Sequence, residues 1–410
     1  MEKRGDLSVD RIAVLENRIH EYSWGSNSFI PELLGELSPA KIPMAEMWMG
    51  THPGGPSMVV YKNERVLLEK LIGENPSGIL GDSIARKFSN KLPFLFKVVA
   101  MARPLSMQAH PNREQAKAGF LRENMGKKPM DRGDRNYRDD NHKPELICAL
   151  RPLWALKGFR DAEKIIDIME RLGVDAELPA AEILRKQPGA EGLRGFFIAL
   201  MDIERDQRQN LLGGIVAKIE DSGLSSPEYE WIKRLSREYP GDMGVISPFF
   251  LNLVRLYPTE AMYIHPGELH SYLEGAGLEL MANSDNVIRG GLTYKHIDPP
   301  ELISILDFNP RIPDILTPEG IDGPEKFYPV SAEEFMLSVI SLRGKGETYE
   351  SRGSRGAEIM ICTDGDARVT DIGHDEILEF RRGMSIFIPA SVERYLIRGE
   401  ATIYRASVPL

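Results

Sequence analysis

Gln108 and His110 stand two apart in the segment Leu105-Ser106-Met107-Gln108-Ala109-His110-Pro111-Asn112. The segment has strand texture. Successive strand side chains point to opposite faces, so residues i and i+2 share one. An imidazole and a neutral amide oxygen on one face are what a sheet presents when it offers two ligands to a metal ion. Alone, such a pair is more often an ordinary core or surface pair.

Further segments change that weighting. They are Tyr22-Ser23-Trp24-Gly25, Glu46-Met47-Trp48-Met49-Gly50-Thr51-His52-Pro53, Asn141-His142-Lys143-Pro144-Glu145-Leu146, His265-Pro266-Gly267-Glu268-Leu269-His270-Ser271-Tyr272, and Ser284-Asp285-Asn286-Val287-Ile288-Arg289-Gly290-Gly291-Leu292-Thr293. In order and spacing, from about Tyr22 to Leu302, the chain resembles the type I mannose-6-phosphate isomerases (phosphomannose isomerases), a cupin-type family. The resemblance implies a zinc ion, one per chain, with Gln108, His110, Glu145 and His270 as ligands. Two imidazoles and one carboxylate are a common zinc set. A neutral glutamine in the fourth place leaves the site at about +1, a charge suited to a developing oxyanion. His265 lies five residues before His270, and Pro266-Gly267 interrupts any strand between them, so parity does not choose. The resemblance favours His270. His52, near Trp48, either lines the mouth or is structural.

The implied reaction interconverts mannose 6-phosphate and fructose 6-phosphate through an enediol(ate). It needs a base and charge stabilisation at adjacent oxygens. The resemblance puts Lys143, Glu279, Asp285 and Arg289 in or near the cleft as catalytic groups. It makes Ser106, Lys97 and Lys295 the holders of the phosphate. Blander readings stand beside these: Lys143–Glu145 as a surface ion pair, Glu279 paired with Arg289 or Lys295, and Arg289 paired with Glu279 or Asp285. Which group takes the proton is left open. The rival function is a non-catalytic sugar-phosphate-binding cupin, disfavoured by the presence of Arg289, Lys143 and Glu279. A non-haem iron oxygenase prefers a two-His-one-carboxylate triad, and Gln108 speaks against it. No P-loop or G-x-G-x-x-G is present, so no nucleotide is implied.

The elements that must position these groups fall into three textures. Residues 12–150 carry short apolar runs broken by Pro and Gly, such as Leu92-Pro93-Phe94-Leu95-Phe96-Lys97-Val98-Val99. Asn112 is placed to cap a helix that starts at Arg113. From Asp161 to Leu256 the period is helical. Its stripes are Ile165, Ile166, Ile168 and Met169; Leu193, Phe196, Phe197, Leu200 and Met201; Leu211, Leu212, Ile215, Val216 and Ile219; and Phe250, Leu253, Val254 and Tyr257. Strand texture then returns, and the last 80 or so residues read as a second jelly roll without a metal set. The expected class is mainly β with a helical insertion, that is, two cupin-like jelly-roll modules plus an all-α domain. The expected boundaries are 1–155 plus 256–325 for the metal-binding catalytic module, 156–255 for the helical domain and 326–410 for the C-terminal module.

Composition bounds the partners. The chain has 410 residues, 42% of them hydrophobic, and a formal charge of −10. That balance suits a globular protein of more than one domain and disfavours a general nucleic-acid binder. A small anionic substrate stays compatible, because a local basic cluster can reverse the field in one pocket. Cys148 and Cys362 lie in apolar runs and read as buried free thiols in a reducing cytoplasm. Met1 to Asn17 show no signal-peptide pattern, and no run is long enough to span a membrane. A monomer is expected.

Overall fold

The computed structural model of the chain describes residues 10–410 apart from 62–63, 321–322, 345, 352 and 354. Residues 1–9 and 321–322, expected in the first module, lie outside the described residues, as does most of the stretch read for a signal peptide. Among the described residues two ten-stranded antiparallel sheets form. The fold is mainly β with a helical insertion, the class the sequence implies. No helix among the described residues is long and apolar enough to cross a membrane.

The first sheet is organised on one long strand, His270–Ala282. Its second half pairs with Phe94–Met101 on one side and Glu145–Ala149 on the other. Its first residue pairs with Gln108 on one side and Lys157 on the other. Every residue of Phe94–Met101 is buried, because both faces of this strand are covered. Phe94, Phe96, Val98 and Ala100 face one core, together with Leu146, Cys148, Leu278 and Leu280. That core also holds Leu337, Ile359, Phe387 and Tyr404 from the second sheet, so it joins the two modules. Each large side chain there contributes roughly 1.5–3 kcal/mol on burial. Val99 and Met101 point the other way, into an apolar floor shared with Ile147, Leu153 and Met262. Lys97 has the parity of that inner face. A charge inside such a run is the mark of a site.

Helices occupy Ala162–Leu172, Ala180–Lys186, Ala190–Met201, Arg205–Asp221 and Pro227–Glu238. The first three stripes read from the sequence supply their core: Ile165, Met169, Leu193, Phe196, Phe197, Leu200, Leu212, Ile215 and Ile219. The fourth stripe does not. Leu251–Leu256 is a strand paired antiparallel with Leu153–Phe159. A short apolar run fits either period, and the open edge of Leu153–Phe159 decides it. Arg113–Met125 is the expected helix, with Asn112 and Gln115 forming a capping box.

Sheet membership departs from a cut at residue 326. Ala13–Glu16 pairs with Ser385–Ile388, and Met58–Tyr61 and Glu64–Leu67 extend that same sheet. Three strands near the N-terminus thus belong by pairing to the C-terminal module. Hydrophobic period reveals a strand but not its partner, which here lies more than 300 residues away.

Candidate metal centre and cleft

A cleft of about 520 Å³ opens on the inner face of the first sheet. At one end, His110, Glu145 and His270 bring one ligand atom each to within 4.8 Å of one another. Each comes from the end of an element. His110 follows Met107–Ala109, Glu145 opens Glu145–Ala149, and His270 opens the long strand. His110 Nε2 lies 3.3 Å from Glu145 Oε1, and His270 Nε2 lies 3.4 Å from Glu145 Oε2. Those separations are near the edge of a tetrahedron with bonds of about 2.0–2.1 Å. Both imidazoles are fully buried. Among the described residues His110 Nε2, His270 Nε2 and Glu145 Oε2 have no hydrogen-bond partner. Buried polar atoms left this way are costly unless something binds them. The donor set therefore fits a metal ion.

The far side of each ring is fixed. His110 Nδ1 donates to the Asn286 carbonyl at 2.7 Å, and His270 Nδ1 to the Glu268 carbonyl at 3.0 Å. Each bond sets the tautomer that leaves an Nε2 lone pair facing inward. The Glu268 side chain is itself held by Lys157 at 2.8 Å. The Pro266-Gly267 turn ties the two segments together, since the Gly267 N–H donates to the His110 carbonyl at 2.7 Å. Its φ of +83° needs a glycine, and a Cβ would meet the Ile305 carbonyl at 2.9 Å. Burial pushes the His110 imidazole down to about 4. Burial also pushes Glu145 up, but His110 and Lys143 outweigh it and hold the carboxylate well below its usual range.

Around this centre lies a ring of charge. Lys143 Nζ is 3.2 Å from Glu145 Oε1, and both are buried rather than on the surface. Lys97 Nζ is 2.9 Å from Glu279 Oε2 and 4.0 Å from Glu46. Register makes the first pair, because Glu279 and Lys97 are directly opposed and Trp48 continues the row. Burial pushes Glu279 above the ordinary carboxylate range against the pull of Lys97, with Glu145 and Glu46 adding to the push. Burial would lower Lys97, but Glu279 and Glu46 hold it firmly cationic. His52 Nε2 is 3.2 Å from Asp285 Oδ1, and that contact holds Asp285 below its ordinary value. Asn286 is fully buried and binds the backbone of Arg138, Asp139 and Asn141, locking this loop to the one before Lys143.

Next to this centre the cleft wall is cationic. Arg289 pairs in register with Gln108, and Lys295 and Ser106 line the same space. Among the described residues Arg289 and Lys295 have no carboxylate partner. Burial lowers Arg289, and Arg138 lowers it further; burial, Arg289 and Arg138 do the same to Lys295.

This arrangement has known counterparts. A family model for the phosphomannose isomerase type I catalytic domain matches residues 12–162. The mannose-6-phosphate isomerase of Escherichia coli (strain K12) is 37% identical over 393 residues, 95% of this chain and 98% of that one. The chain belongs to the type I phosphomannose isomerase family. A solved phosphomannose isomerase from Salmonella typhimurium superposes with a TM-score of 0.91 at 35% identity, covering 97% of this chain and all of that one. A solved mannose 6-phosphate isomerase bound with zinc and yttrium superposes at 0.89 with the same identity and coverage.

Within this phosphomannose isomerase fold the structure brings all eleven expected site residues into the cleft wall or its ligand cluster. One of them needs a finer statement. Lys97 lines the cleft, yet its charge is already matched by Glu279 and Glu46. Arg289 pairs with neither Glu279 nor Asp285, since Lys97 and His52 take those partners. His265 stays outside the ligand cluster and packs edge-on against Tyr263. Sequence reasoning missed Glu46, Tyr272 and Asn286 as site residues. Tyr272 is two residues beyond His270 in the same strand, so parity points it into the same space. Its buried hydroxyl lies near Glu145 and Glu279 but makes no well-formed hydrogen bond among the described residues.

Proposed function

We propose that this chain is an aldose–ketose isomerase interconverting mannose 6-phosphate and fructose 6-phosphate, with one zinc ion per chain held by Gln108, His110, Glu145 and His270. One observation carries the reading. Three buried ligand atoms without partners among the described residues converge in a cleft whose wall also carries Arg289 and Lys295, which have no carboxylate partner among those residues. Zinc bound there supplies a Lewis acid that stabilises negative charge on a sugar oxygen. The cationic wall suits a terminal phosphate, with Lys295 as a point charge and Ser106 as a hydroxyl donor.

The remaining roles follow from the ring of charge. Glu279 moves the proton between C1 and C2. Its raised affinity for a proton makes it a stronger base than an ordinary carboxylate. Lys97 orients Glu279 and keeps its charge paired, a role that suits it better than holding phosphate. Lys143 steadies Glu145 and offers a donor to a sugar oxygen. Arg289 meets charge developing on the open-chain sugar, and Asp285, oriented by His52, serves the hydroxyls beside it. Tyr272 places a hydroxyl between Glu145 and Glu279.

The test is direct. Purified protein with one bound zinc should convert mannose 6-phosphate, lose turnover in chelator and regain it with zinc. Full turnover by metal-free protein, or none by the zinc-loaded form, overturns the proposal. We read 162–250 as a helical insertion between the two parts of the metal module, because Leu153–Phe159 and Leu251–Leu256 are strands of its sheet. The protein should run as a monomer in light scattering, because one chain supplies every cleft group. A reducing cytoplasm suits Cys148 and Cys362, two buried free thiols.

A further inference from the structure

We infer that Glu334, in the segment leading into the C-terminal sheet, is a positioning residue for the active site, acting through His142 and Arg113 on the backbone that carries Lys143, Glu145 and His110. The inference rests on the isomerase reading above. Glu334 is 2% exposed. Its Oε1 accepts from Arg113 Nη2 at 2.6 Å and from His142 Nε2 at 2.7 Å. Its Oε2 is buried without a partner among the described residues. Arg113 and His142 lie 221 and 192 residues away along the chain, so the contact reaches from one module into the other.

What the carboxylate holds is specific. His142 directly precedes Lys143, whose ammonium touches Glu145. The opposite flank of that stretch is held by Asn286 and Ser284, both of which bond the Asn141 carbonyl. The Ala282 N–H donates to the Pro144 carbonyl at 3.1 Å, and Glu334 supplies a further clamp, at His142. Arg113 opens the helix that follows His110-Pro111-Asn112, so the same carboxylate pulls on the exit from His110. An interface that needed only adhesion already has it in the apolar core shared by the two sheets. A buried carboxylate is a poor adhesive, since its desolvation consumes most of what its partners return. It does fix direction, which an apolar contact does not.

The test compares zinc-loaded full-length variants. Glu334→Gln keeps the shape and removes the charge. It should lower kcat about tenfold or more while KM stays within about twofold and bound zinc stays at one per chain. Arg113→Met and His142→Gln should shift kcat in the same sense, and either combined with Glu334→Gln should be no worse than about the poorer single variant. These two carry the test if Glu334→Gln does not fold. Val339→Ala weakens the same module interface without touching this cluster and should lower the melting temperature with kcat unchanged. A kcat within twofold of the unaltered protein for Glu334→Gln or its partners overturns the inference. So does an equal loss in Val339→Ala at a matched melting temperature. An unaltered protein that is inactive on mannose 6-phosphate overturns the isomerase reading and this inference with it.

Discussion

Both modules bury charge inside a sheet, and they do so in opposite ways. In the C-terminal module Arg405 lies between Glu358 at 2.8 Å and Glu325 at 2.7 Å. Ser338 bonds Glu325, Tyr395 bonds Glu358, and Arg405 also donates to Ser338. Arg355 approaches the same Glu358, so two guanidiniums meet two carboxylates. In the metal module three carboxylates, Glu46, Glu145 and Glu279, face two ammoniums, Lys97 and Lys143. There the ligand atoms are left without partners. A neutral cluster bonded within itself braces a sheet; of Arg355, Glu358, Arg405 and Glu325, only Arg355 Nε lacks a partner among the described residues. A cluster with a charge deficit and orphaned donors is built to receive something. The comparison tells a site from a scaffold without reference to any motif.

Two substitutions should separate them most. His110→Ala should cost at least about 10⁴-fold in turnover, more than ~5 kcal/mol of transition-state stabilisation. Its melting temperature should fall little, because the apolar floor and the module core remain. Arg405→Met should do the reverse. It strands Glu325 and Glu358 in the interior and should destabilise the fold by about 3–5 kcal/mol. Turnover per folded molecule should stay near that of the unaltered protein. Denaturation curves and initial rates on both variants check the contrast, and it fails if each variant loses both properties alike.

The same contrast explains what was legible in the sequence. Only Gln108 and His110 stand at a spacing that points to a metal. Glu145 and His270 lie far along the chain and are candidates in the sequence through the family resemblance, and the structure brings His110, Glu145 and His270 together. The helical stripes were legible because period 3.6 persists over many residues, as in Leu193, Phe196, Phe197 and Leu200. Leu251–Leu256 was misread because six residues cannot distinguish the two periods. The pairing of Lys97 with Glu279 depends on register between strands 182 residues apart, which no local pattern encodes. Membership of Ala13–Glu16 in the C-terminal sheet was hidden for the same reason. One signal was available: a lysine in the apolar run Phe94–Met101 must have a buried partner.

A smaller effect sharpens the cationic wall. Among the described residues Arg289 has no carboxylate to hold, which leaves its fork to meet substrate oxygens. Arg289→Lys keeps the charge and loses the bidentate geometry. Turnover should fall about 10²-fold, roughly 2.7 kcal/mol, with KM changed far less. That pattern marks an interaction made mainly in the transition state. A variant that keeps its turnover and only melts earlier would mean that Arg289 merely braces its loop.

The smallest effect concerns the carboxylate that joins the two modules. Burial pushes Glu334 up, but the His142 hydrogen bond and the nearby Arg113 outweigh it, so its folded pKa lies below the ordinary carboxylate value. A group whose folded pKa is depressed contributes stability that is fully present above its unfolded pKa and is lost as pH falls through the folded one. The unaltered protein should therefore exceed Glu334→Gln in melting temperature above about pH 5. The gap should shrink as pH falls below the ordinary carboxylate value of about 4.3 and close only below the depressed folded pKa, where both side chains are neutral. Taking the difference between the two proteins cancels the titration of all other carboxylates. Melting curves at several pH values decide it. A gap that is constant with pH would mean that Glu334 holds His142 and Arg113 by shape alone, and that the charge joining the modules does not matter.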